Sequence, residues 1–284
     1  MRKNDFTNTY EATCIKQANA VIEKNFSALI PSGTEESHDI MRGLFENAGY
    51  TVHALNLSDM RHSDRYNPIG FARSEEDIHE AAGRIMSAFH PDPEASAERA
   101  EAEHMALESL LLYLHCCAPK EQNIPAVLTL IVQACKHGMH TIGKIFENLE
   151  QADPVNSCAC VHKLYEIARR CDEGMSPSAC YTLGAKLSAF CLPEFARITS
   201  GDDMELEAIG TKKLAYFIIR PAGSEFQALS DLFLGDLNRH IADSMVWKGC
   251  VFGDEHVPVR AFGSVRGQFP DFEDDAAGPR KAEK

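Results

Sequence analysis

Residues Gly49 to Phe71 read GYTVHALNLSDMRHSDRYNPIGF, and the fold turns on how this stretch is understood. A glycine that stops a helix leads into an extended segment, Thr51 to Leu57, and a polar loop closed by Asn67-Pro68 follows. Val52, Ala54, Leu55 and Leu57 fall on both parities of the strand instead of alternating. That is the pattern of a strand covered on both faces, as in a parallel sheet. Loops at the carboxyl ends of such strands are where α/β proteins place ligand chemistry.

Working backwards, Phe26 to Ile30 is a short apolar run that predicts a strand, and residues 1–25 are helix-compatible, with Ile15, Ala18 and Ile22 on one side. Ser32 and Glu35 have the spacing of a capping box, which predicts a helix start there. Ile40, Met41, Leu44, Phe45 and Ala48 recur at helical spacing up to the Gly49 stop. Strand, helix and strand together predict a βαβ unit with a right-handed crossover.

Working forwards, residues 74–89 predict an amphipathic helix ended by His90-Pro91-Asp92-Pro93, where a boundary is placed. From about 94 to 200 helix follows helix, with Met105 to Leu114 the most apolar, Pro125 opening one helix and Ser176-Pro177 another. The β pattern returns at Leu214 to Ile219 and ends in Arg220-Pro221; Ser224 and Gln227 then cap a further helix. Val257 to Phe262 predicts one more strand, and the chain beyond Asp274 reads as a frayed tail. The expected division is 1–93 as an N-terminal α/β part, 94–202 as an all-α insertion domain, 203–273 as a C-terminal α/β part and 274–284 as a flexible tail.

The formal net charge of −14 opposes tight binding of a nucleic-acid backbone by the surface as a whole and leaves a local basic patch open. No apolar run approaches membrane-spanning length, so a cytoplasmic location is expected. The 10 cysteines come without a secretion signal and sit in helical patterns, which reads as reduced, packed thiols.

Chemical motifs are sparse. The chain contains neither G-x-x-x-x-G-K-[ST] nor G-x-G-x-x-G. Cys135, His137 and His140, and likewise Cys158, Cys160 and His162, have two-residue spacings that a helix points apart, so no metal site is assigned. Glu94, Glu98, Glu101 and Glu103 read as a solvated helix face, Asp202-Asp203 as a turn or cap, and Lys212 and Lys213 as an edge device. Arg220, directly after a buried strand, is a candidate ligand contact.

Taken together, GYTVHALNLSDMRHSDRYNPIGFARSEEDI, APKEQNIPAVLTLI, LSAFCLPEFARITSGDDMELEAIGTKKLAYFIIRP, VPVR and QFPDFE resemble the coupling proteins of type IV secretion. These are the conjugative DNA-transfer ATPases, and the likeness is to the forms carried by Gram-positive mobile elements. The pieces fall in the family's order across most of the chain. The resemblance implies an α/β fold: a partial RecA-like, mainly parallel sheet interrupted by an all-α insertion domain. It also marks departures. Asn4 to Glu11 stands where the family has its phosphate loop, Pro31-Ser32-Gly33-Thr34 where it has a charged turn, and AFGSVRGQF where its apolar strand and Asp-Glu pair belong. The remainder of the sheet beyond Glu273 and an N-terminal membrane anchor are also missing from the text as read.

No catalytic residue carries over, and the nucleotide-proximal positions that the resemblance implies are Pro31, Ser32, Gly33 and Thr34. Without loop amides, lysine or acidic pair, a polyphosphate and its Mg²⁺ have no preorganised cradle. The expectation is a non-catalytic relative without a cofactor, acting on a protein partner among conjugation or secretion components, as accessory factor or inhibitor. Arg61, Asp64, Arg65, Tyr66 and Arg220 are the candidate contacts, with Met60, Ile69 and Phe71 as apolar anchors; the other reading of Tyr66, Pro68 and Phe71 is that they pack the loop against the sheet. Two alternatives stand beside it: an ATP- and Mg²⁺-binding motor completed by another chain, and a metal- or small-molecule-binding enzyme.

Overall fold

The computed structural model describes residues 12, 15–16, 18–24, 26–32, 35–88, 97–137, 144, 178–220, 226–243, 248–250 and 260–262. Strands β1 (Ser27–Ser32), β2 (Thr51–Asn56) and β3 (Leu214–Ile219) are parallel, while β4 (Lys248–Cys250) and β5 (Arg260–Phe262) pair antiparallel beyond β1. The order across the sheet is β2-β3-β1-β5-β4. Helices are α1 (Glu35–Asn47), α2 (Glu75–Ala88), α3 (Ala97–Cys117), α4 (Ile124–His137), α5 (Ser178–Lys186), α6 (Pro193–Thr199) and α7 (Gln227–Asp243).

The α/β class and the three expected parallel strands hold. Strand order differs from the simplest reading of the βαβ unit, because β3 lies between β1 and β2 and bonds to both. A strand more than 150 residues downstream in the chain thus becomes the middle one of the three parallel strands. It suits that position: all six of its residues are buried. The short β4 was not foreseen, and β5 is antiparallel to β1 over three residues.

Alternation along these strands sends side chains to two apolar layers. Ala28, Ile30, Ala54, Ala215 and Phe217 join Met41 and Phe45 of α1 and Ala18 and Val21 of a helical stretch at 18–23. Leu29, Leu55, Leu214, Tyr216 and Ile218 face the opposite layer, built by α2, α3, α4, α5, α6 and α7. Both faces are therefore covered, which is why apolar residues occupy both parities. The second cluster runs without a break from under the sheet into Leu107 and Leu111 of α3, Val127 of α4 and Leu183 of α5. Between 97 and 200 the described residues hold only helices and turns.

The Gly49 stop is a Schellman turn. Tyr50 N–H donates to the Phe45 carbonyl (3.0 Å) and Gly49 N–H to that of Glu46 (3.0 Å), with Gly49 at φ 81°. The accompanying apolar contact is the edge of Tyr50 against Phe45, centroids 5.1 Å apart. The Tyr50 hydroxyl donates to the Phe26 carbonyl, and burial pushes its pKa up to about 12. A Cβ at Gly49 would meet nothing within 4 Å, so the cost of a side chain there is purely that of the left-handed backbone. Gly49→Ala is expected to lower stability by about 1–2 kcal/mol in urea unfolding; an unchanged midpoint would refute the turn's role.

Ser32 is the last residue of β1, in register with Ile219, and α1 begins at Glu35, where a helix start was expected; the capping bonds expected there lie outside the described residues. The expected capping signals at Ser176-Pro177 and Ser224, and the boundary at 90–93, lie outside the described residues. A capping box does open α2, where Ser74 N–H donates to the Asp77 carboxylate (2.9 Å) and Asp77 N–H to Ser74 Oγ (3.1 Å).

Candidate functional site

Parallel pairing brings Ser32, Ile219 and Asn56 into one row at the carboxyl edge of the sheet. Of the nucleotide-proximal quartet, Pro31 and Ser32 sit on this edge, and Gly33 and Thr34 lie outside the described residues. Arg220 follows β3 on the same edge, exposed, and its guanidinium donates to the Gln227 side chain in the first turn of α7. Asn56 Oδ1 accepts the N–H groups of Ser58 (3.0 Å) and Asp59 (2.8 Å). Those amides are turned inward by an Asx turn, not toward a ligand.

The loop after β2 then folds back along that strand, the edge of the sheet. Ala54 N–H donates to the Asp64 carboxylate (2.7 Å), Asp64 N–H to the Ala54 carbonyl (2.9 Å), and Asn56 N–H to Ser63 Oγ (3.0 Å). An otherwise open strand edge is thereby closed. Arg197 of α6 clamps the loop by donating to the carbonyls of Met60 and Ser63. Arg65 grips Asp203 through both carboxylate oxygens (2.7 and 2.8 Å), which raises the guanidinium's pKa and lowers that of Asp203. The buried His53 ring stacks on Tyr216 at 5.6 Å; burial lowers its pKa, and Asp64 pulls the other way.

The structure redistributes the candidate contacts. Arg61 is the open one, its side chain 80% exposed. Asp64 and Arg65 are half-exposed but committed to the loop's own bonds. Tyr66 is corrected from surface anchor to core: it is wholly buried, and so is Ile69, while Met60 and Phe71 are partly buried against the same cluster. A ring in that position has no face to offer a partner. Glu103 is also corrected, from solvated face to a fully buried carboxylate held by Lys186 (2.5 Å) and Arg99 (3.3 Å). Glu101 is exposed as expected. Asp203 and Lys212 make ion pairs, Lys212 with Glu205 at 2.8 Å, and Lys213 lies over the Tyr50 ring. Cys116, Cys117, Cys135 and Cys191 are in no disulfide; Cys158, Cys160, His162 and His140 lie outside the described residues.

Tyr66 leads to a site that the sequence did not mark. Its hydroxyl donates to Asp236 Oδ2 at 2.5 Å, and the surroundings, burial first and the Asp236 charge second, hold its pKa well above the ordinary phenol value. Asp236 Oδ1 receives Arg239 at 2.7 Å and Arg84 at 3.2 Å, and both arginines also reach Glu80, at 3.4 and 3.8 Å. Two cations and two carboxylates thus close a ring between α2 and α7. Above it lies a cavity of about 650 Å³ lined by Glu80, Gly83, Arg84, Ser87, Gly235 and Arg239 among others. The near end of each helix pair was legible, Glu80 with Arg84 and Asp236 with Arg239. Their meeting across α2 and α7 was not.

This cleft has no nucleophile beside a base and no excess positive charge for a phosphate. Small residues, Gly83, Ser87 and Gly235, stand on both walls, and the charges on the floor balance. Among the described residues, no helix is long and apolar enough to cross a membrane.

Comparison with known proteins agrees with the resemblance drawn from the segments above. No curated protein matches the chain. The family model for conjugative DNA transfer by the type IV secretory system matches residues 18–246, from the helical stretch before β1 through α7, well over half of the 284 residues. With both apolar layers, the clamped loop and the cleft inside that span, the chain belongs to the type IV secretory system conjugative DNA transfer family.

Proposed function

We propose that this chain serves conjugative DNA transfer from the cytoplasm by contacting another protein of the transfer apparatus, as accessory factor or inhibitor, without turning over ATP itself. The observation that carries the reading is the cleft between α2 and α7, whose small-residue walls and neutral ionic floor suit a peptide segment better than a nucleotide. Its setting supports the reading: the cleft is tied through Asp236 and Tyr66 to the loop that leaves β2. The 284 residues hold no G-x-x-x-x-G-K-[ST] motif, which supports a reading without a nucleotide cofactor. The contact surface moves accordingly, from Tyr66 to the cleft, with Arg61 and Arg220 outside it.

The test is retention of purified components of a conjugative type IV apparatus on the immobilised chain. A Cβ at Gly235 meets nothing within 4 Å, so Gly235→Leu should fill the cleft and leave the fold intact. At least one component is expected to bind, with a loss of about tenfold in Gly235→Leu, equal to roughly 1.4 kcal/mol, and little change in Arg61→Glu. ATP hydrolysis by the original chain should stay at background with Mg²⁺. Equal retention by Gly235→Leu, tight salt-sensitive duplex binding, or a Mg²⁺-dependent turnover abolished by one substitution in this chain would overturn the reading.

A further inference from the structure

Beside the cleft wall, where the His104 ring lies next to Gly83, and away from any motif in the sequence, three donor side chains meet. His104 and Glu108 lie four residues apart on α3 and so share one helix face. His79 comes from α2. Glu108 Oε2 is 3.1 Å from His79 Nδ1 and 3.6 Å from His104 Nε2, and one ligand atom from each residue falls within 4.8 Å of the others. His104 Nε2 is buried and makes no hydrogen bond. The Glu108 carboxylate is nearly buried, and the His79 ring forms the exposed edge.

We infer that His79, His104 and Glu108 form a divalent transition-metal site, with zinc the ion that the donors fit best. Ligands about 2.0–2.1 Å from a tetrahedral zinc are about 3.3 Å apart, and the two distances to Glu108 bracket that value. Rotation of the exposed His79 ring closes the third edge. His104 Nε2, buried and without a hydrogen bond, faces the Glu108 carboxylate at 3.6 Å, and a cation between the three groups would give each of them a partner. Two imidazoles and one carboxylate suit zinc and its first-row neighbours, whereas Mg²⁺ and Ca²⁺ prefer oxygen alone. Three protein ligands leave a fourth position on the His79 side, open to water or to a side chain from another molecule.

The site ties α2 to α3, the first helix of the helical segment. It braces the wall that carries Gly83 and Arg84 into the cleft, but it stands whether or not the cleft receives a protein.

The experiment uses the full chain, purified without a histidine tag, stripped with chelator and titrated with Zn²⁺. One equivalent should bind saturably and raise Tm by about 5 °C at a hundredfold excess over Kd. His104→Ala with Glu108→Gln should remove the Tm shift, and His79→Ala should weaken binding at least tenfold while leaving the metal-free Tm close to the original. Co²⁺ should give visible bands of a four-coordinate centre without thiolate charge transfer. No saturable shift, an undiminished shift in the double variant, or thiolate bands that assign the metal to cysteines would each overturn the site.

Discussion

Replacing Asp236 by alanine should lower the unfolding free energy by about 3–5 kcal/mol, the range for breaking a buried ion pair by deleting one partner. Asp236 is almost fully buried and serves three donors at once: Tyr66 at 2.5 Å, Arg239 at 2.7 Å and Arg84 at 3.2 Å. Deleting it leaves the wholly buried Tyr66 hydroxyl without an acceptor and sets two guanidiniums side by side, with only Glu80 to balance them. Arg84 and Arg239 are about one-quarter exposed, so water relieves part of their repulsion and keeps the loss near the lower end. Tyr66→Phe removes one charge-assisted bond and should cost about 1.5–3 kcal/mol. Urea unfolding of Tyr66→Phe, Asp236→Asn and the double variant tests the link, since groups in one network do not add. Strict additivity, or a loss below about 1 kcal/mol in Asp236→Ala, would show that the ring does not hold α2 to α7.

A comparable loss is expected at Glu103. Its carboxylate has no exposure, and it is neutralised by Lys186 of α5 and Arg99 one turn earlier on α3, with Arg99 also bonding Thr182 at 2.7 Å. Lys186→Ala combined with Arg99→Ala orphans the carboxylate and should cost about 3–5 kcal/mol. Adding Glu103→Leu to that pair should recover most of the loss, because a buried apolar side chain of similar length needs no counter-charge. Thermal or urea unfolding of the three variants decides the matter. A triple variant as unstable as the double would mean that packing against Lys186 and Arg99, not the stranded charge, sets the cost.

Much of the fold was legible because it rests on local rules. Val52, Ala54, Leu55 and Leu57 on both parities required two covering layers, and both are present. Gly49 signalled a left-handed stop and adopts φ 81°. Leu214 to Ile219 read as a buried strand and are buried throughout. The family was legible too, because long segments such as Gly49 to Ile78 carry more information than any short motif, and the matched region spans residues 18–246.

The site was less legible because its parts are far apart in the chain. Tyr66 and Asp236 are 170 residues apart, and each looks ordinary alone: an aromatic in a polar loop, an acid on an amphipathic helix. Glu103 belongs to an acidic run whose neighbour Glu101 does face water, and only the position of α5 turns it inward. His79 stands 29 residues from Glu108 on a different helix, and no spacing rule reaches from one helix to the next. The sequence by itself determined the three parallel strands and the helical character of the segments between them, because hydrophobic periodicity and glycine or proline stereochemistry act within a few residues. The tertiary structure alone decided that β3 lies between β1 and β2, that Tyr66 is core, and that charges from α2 and α7 close into a ring. Those outcomes depend on which apolar faces and ionic groups can be buried together, and burial is a property of the packed chain as a whole.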